Sequence, residues 1–107
     1  MNLSIETIDT IYTELADATK AHDTAAAEII ANEADLKTLT AEAIAGGHVE
    51  GKNQAARDAN AREMFRDQHE TLARQKSDLA PKRLRLDLAK IEIERAKMIA
   101  RVMELTA

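Results

Sequence analysis

Three histidines, two serines and one run of five cations are the residues of this chain that could do chemistry, and their spacing speaks against most of it. A di-iron site in a helical bundle needs Glu-x-x-His on two helices. Arg66 stands three before His69, and Thr19 three before His22, so neither histidine has the required carboxylate; His48 sits apart. With no cysteine, disulfides, thiolate chemistry and cysteine-based zinc sites are excluded together. Ser4 and Ser77 lie in no nucleophile-type context, and the carboxylates are spread as solvated helix positions without the sign of a buried pair. The stretch Gly46-Gly47-His48-Val49-Glu50-Gly51-Lys52 has glycines and a lysine but departs from the phosphate-loop pattern and precedes no strand. These residues predict no enzyme, no metal and no cofactor.

The cations Arg74, Lys76, Lys82, Arg83 and Arg85 are the candidate nucleic-acid contacts, because Lys and Arg neutralise phosphates without regard to sequence. Asp78 and Asp87 interrupt the run, the net charge is −4, and the stacking rings of single-strand binders are missing. A solvated helix face paired with acidic residues elsewhere in the chain is the favoured reading.

The elements that would carry these residues are set by the helix breakers. Three glycines, Gly46, Gly47 and Gly51, fall together, and Pro81 is the lone proline. They divide two long runs rich in Ala, Glu, Lys, Arg and Leu. Helix 1 is expected over about 4–45, with Ser4 as N-cap and Glu6, Asp9, Glu14 and Asp17 near the positive end of its dipole. Ile8, Leu15, His22, Ile29, Leu36 and Ala43 recur every seven residues, and Ile11, Ala18, Ala25, Asn32 and Leu39 follow three later. This is a coiled-coil seam. His22 and Asn32 within it are expected to set register. Gly46 and Gly47 should end the helix, Asn53 should cap the next, and Arg57 can reach back to loop carbonyls or helix 1 acids. A connection of this length turns the chain back antiparallel.

Helix 2 is expected over about 54–105, kinked or broken near Pro81, with a three-helix bundle as the alternative. Phe65, Leu72, Leu79, Leu86, Ile93 and Ala100 recur every seven residues. Beyond Pro81, Leu84, Leu88, Ile91, Met98, Val102 and Leu105 share one face, and Leu86, Ala89, Ile93, Ala96 and Met103 lie roughly opposite. A helix apolar on two faces is buried on two faces. One can meet helix 1, and the other is left for a partner. Leu84, Leu86, Leu88, Ile91, Ile93, Met98, Val102 and Met103 are therefore the expected oligomer interface. Composition agrees: aromatics are 2% of the chain, and an alanine-rich apolar share buries little area alone. Charge supports the hairpin, since residues 1–45 carry nine acids against two bases and residues 46–107 carry 13 bases against ten acids.

At Gly51-Lys52-Asn53-Gln54-Ala55-Ala56-Arg57 the chain resembles a diffuse group of small helical-hairpin proteins encoded by bacteriophages and prophages, with a Gly-Lys-Asn-x-x-x-Arg turn after an acidic first helix. Ala55 and Ala56 depart from the acidic residue often found before that arginine. The resemblance implies an accessory role in phage DNA metabolism or interference with a host system. No stretch approaches a membrane span of about 18 apolar residues, and the amino-terminal residues lack a secretory pattern. The sequence thus predicts a cytoplasmic, all-α, non-enzymatic protein of the bacterial host cell. It would form a homo-oligomer and bind or block a protein partner, with nucleic-acid binding in phage recombination or replication as the alternative.

Overall fold

The computed structural model describes residues 3–106, which form three helices: α1 Ile5–Ala45, α2 Gln54–Met64 and α3 Arg66–Thr106. The fold is all-α, with no strand among the described residues. Ser4 begins α1 as expected, its hydroxyl accepting the Thr7 N–H at 3.1 Å. The chain divides into two compact units, one of residues up to Thr24 with those from Leu79 onward, the other Ala25–Asp78.

In the first unit, the start of α1 packs against the end of α3. Ile11 meets Ile93 and Ala96, and Ala18 meets Leu86 and Ala89, with Leu15 partly buried against both groups. Chain positions rise along one helix as they fall along the other, so the pairing is antiparallel. Ala18 is fully enclosed, because alanines on both helices let the backbones approach closely.

In the second unit, Asn32 donates to the Gln75 side chain at 2.9 Å and Lys76 meets Glu33 at 2.6 Å, while Ala43, further along α1, packs near Phe65, earlier in the chain, so this pairing is antiparallel too. Ala43, Val49 and Ala61 are buried together, with Ile44 and Phe65 packed against them. The predicted seam of α1 is the buried one: Ile11, Ala18, Ile29, Leu36 and Ala43 are buried, and Leu15, His22, Ala25 and Asn32 are half-buried. Ile8 and Leu39 are exceptions at 41% and 42% exposed. Asn32 makes the cross-helix bond that a register residue requires. His22 does not; its ring bonds the adjacent Asp23 at 2.9 Å.

The turn forms as its residues require. The His48 N–H reaches the Ala43 carbonyl at 2.9 Å and the Gly47 N–H reaches Ile44 at 3.2 Å, closing α1 with Gly47 at φ 75°. Asn53 caps α2, its side chain accepting the Ala56 N–H at 2.9 Å, and Arg57 donates back to the Gly51 carbonyl at 3.3 Å. Gly51 is held by close approach: a Cβ there would stand 2.6 Å from the Arg57 backbone nitrogen. Gly51→Ala should therefore destabilise the second unit by about 2 kcal/mol. A strain-free site would instead gain about 0.4–1 kcal/mol from the stiffer unfolded chain. Urea unfolding of the variant gives the sign.

One expectation is corrected. The helical run after the turn is not broken at Pro81, which lies inside α3; the break is at Phe65. Phe65 leaves helical geometry at φ −104°, ψ 29°, while its N–H still bonds the Ala61 carbonyl at 3.0 Å. Its ring stays against the Ala43, Val49 and Ala61 cluster, so the break serves the packing beneath the turn. Pro81 is tolerated because strong helix formers flank it and the carbonyl lacking a donor belongs to Ser77, an exposed residue that water can reach.

Candidate docking surface

Beyond Pro81, α3 carries two apolar series, and each has its own environment. Leu86, Ala89, Ile93 and Ala96 are buried against α1. Leu84, Leu88, Ile91, Met98, Val102 and Leu105 lie two residues out of phase and are each more than half exposed, from 53% at Leu88 to 81% at Leu105. Their spacing alternates four and three residues, with Arg95 filling the one remaining position. Ten of the thirteen large apolar side chains exposed among the described residues belong to this unit, including Ile5, Ile8 and Tyr12 of α1. Scattered apolar side chains on a surface need no explanation, but a series at helical spacing does.

The surface has relief. Thr10, Ile11 and Glu14 of α1 and Pro81, Leu84, Arg85, Leu88, Ala89 and Glu92 of α3 line a groove of about 480 Å³. Arg85 spans it, donating from Nε to Glu14 Oε1 at 2.6 Å and from Nη2 to Oε2 at 3.2 Å. The Arg85 hydrogen bonds hold the Glu14 carboxyl below its ordinary value of 4.5, and the same bonds raise Arg85. A carboxylate lowered on folding contributes stability that is present above pH 4.5 and lost as the pH falls through its folded value. Glu14→Gln should thus melt below the wild type at neutral pH, and the gap should narrow as the pH falls below 4.5. Both groups are in water, so the effect is small and falls with salt.

The expected interface residues divide. Leu84, Leu88, Ile91, Met98, Val102 and Met103 are exposed. Leu86 and Ile93 are corrected: at 7% and 5% exposed they belong to the chain's own core. They share the helix but sit two positions out of phase with the free series. Sequence reasoning does not single out Pro81 as a wall of the groove, because it weighs a proline as a chain breaker and not as apolar surface.

Four of the five cations are engaged or half-buried, and Arg83 is exposed. Arg85 is bound to Glu14, Lys76 to Glu33, and Arg74 donates to the Thr71 hydroxyl at 3.2 Å; Lys82 is half-buried. Both interhelix ion pairs join an acid of α1 to a base of α3, as the charge asymmetry implied. A second groove of about 610 Å³, in the other unit, is lined by Leu36, Ile44 and Leu72 together with Glu33, Lys37, Arg62, His69 and Lys76. No buried side-chain polar atom without a partner occurs among the described residues, so none is left in that groove awaiting a ligand. Also among them, no group of three or more His, Asp or Glu could hold a metal, and no helix is long and apolar enough to cross a membrane. Comparison with protein families, curated proteins and solved structures finds nothing that matches this chain.

Proposed function

We propose that this chain is a non-enzymatic interaction protein that works by docking the free apolar face of α3, beyond Pro81, against another protein surface. One observation supports it above the others: Leu84, Leu88, Ile91, Met98, Val102 and Leu105 keep helix-pairing spacing while the chain's own core is already filled by the opposite face. Apolar helix faces of this kind are recognised through anchors three and four residues apart. Self-association into a four-helix dimer is the smallest assembly that covers it. By its resemblance to phage hairpin proteins, the chain would act in the cytoplasm of a bacterial host, binding or blocking a host defence or DNA-metabolism component.

The test compares wild type with Leu88→Glu plus Ile91→Glu as bait in lysate of a bacterial host. A protein retained by wild type and lost from the variant supports the role; equal retention by both contradicts it. In parallel, a gel shift with single-stranded DNA tests the basic-arm alternative. Binding that Arg83→Glu abolishes would favour that alternative, although the ion pairs of Arg85 and Lys76 weigh against it.

A further inference from the structure

We infer that two copies of this chain pair through α3 in antiparallel orientation, with Ile91 of one against Val102 of the other and Arg95 setting the direction. The inference rests on the docking role proposed above and names the occupant of that face. Steps of four and three from Leu84 to Leu105 are the spacing by which one helix seats its side chains between those of another. The series is about 32 Å long at 1.5 Å per residue, so its natural complement is a helix of matching period and length. A second copy supplies one.

Charge selects the direction. Arg95 is the one polar member of the series, 60% exposed, and its one ion pair among the described residues is with Glu92, at 3.7 Å. In a parallel pair, like positions meet, so Arg95 would face Arg95 of the second copy inside an apolar seam, with Asp87 beside the second copy's Glu92. Both contacts repel. With Ile91 opposite Val102 in antiparallel sense, Arg95 faces the second copy's Met98 and is staggered by about 4.5 Å along the axis from the second copy's Arg95, where a parallel pair would set the two level. Its stem can lie along the thioether while the guanidinium reaches the rim. The same register brings Glu94 beside the second copy's Arg101, and twofold symmetry repeats the pair. Arg101 makes no ion pair within its own chain among the described residues, whereas Glu94 is met by Lys97 at 3.2 Å. The symmetric contact closes on itself and stops at two copies.

Because the chain has no cysteine, introduced ones report cleanly. Ile91→Cys and Val102→Cys are prepared separately, then oxidised alone and after mixing. A disulfide needs Cα atoms within about 7 Å, and this register separates Ile91 of one copy from Ile91 of the other by about 16 Å along the axis. The mixture should give the mixed disulfide at least about tenfold above the dimer yield of either variant alone. Adding Arg95→Leu to Ile91→Cys should remove the Arg95 bar to parallel pairing, leaving only the weaker rim contact of Asp87 with Glu92, and raise its self-linked dimer by a similar factor. Self-linked dimers of each single variant without enrichment of the mixed one, or no disulfide in any sample, overturn the antiparallel pair. An Arg95→Leu background that changes nothing overturns the role of Arg95. If nothing cross-links but lysate capture still depends on Leu88 and Ile91, the second copy is excluded as occupant and the docking role stands. If capture is also indifferent to those residues, both fall.

Discussion

Ile93→Glu is expected to unfold the unit formed by the two ends of the chain. Ile93 is 5% exposed and packs with Ile11 and Ala96. The substitution forfeits about 2 kcal/mol of apolar burial and places a carboxylate where the packed neighbours, Ile11 and Ala96, offer it no partner. An uncompensated buried charge costs about 3–5 kcal/mol. Their sum is comparable with the whole stability of a small domain, about 5–15 kcal/mol. Thermal melting followed by circular dichroism should show this unit lost from the cooperative transition. A variant that melts within a few degrees of wild type would mean that the core has been placed on the wrong face of α3.

The same chemistry two residues away should do something different. Leu88→Glu with Ile91→Glu changes side chains that are 53% and 59% exposed, so the fold of one chain should shift by no more than about 0.5 kcal/mol. Self-association should instead weaken at least about 100-fold, because four carboxylates would enter the apolar seam opposite Val102 and Leu105. Unchanged helicity with a lower mass in solution is the expected signature. Loss of helicity in this variant would show that the free face is needed for folding and would remove it as a docking surface.

How much of this was legible in the sequence depends on what each feature required. The α1 seam was readable because seven-residue recurrence in a long helix needs only periodicity, and nine of its eleven positions are buried or half-buried. The turn was readable because Gly47, Asn53 and Arg57 act through local backbone geometry. Two features were not. Proline propensity pointed to a kink or break near Pro81, but the helical run is interrupted at Phe65, whose ring packs under the turn. Tertiary contact outweighed propensity there. Both apolar series of α3 were visible, yet pattern alone could not say which one α1 would cover, so Leu86 and Ile93 were grouped with the free face. Their burial follows from the facing Ala18 and Ile11, and such pairing is a property of two helices together. The histidines show a related limit: His22 sits at a seam position as expected but bonds along its own helix.

The mass of the wild-type protein in solution tests the central claim most directly. Sedimentation equilibrium across about 1–200 μM captures association worth roughly 5–8 kcal/mol. Over that range the mass should rise from 11.8 kDa toward twice that value. A mass that stays at 11.8 kDa throughout would contradict the account, leaving the outer face of α3 bare in water with no second copy to cover it.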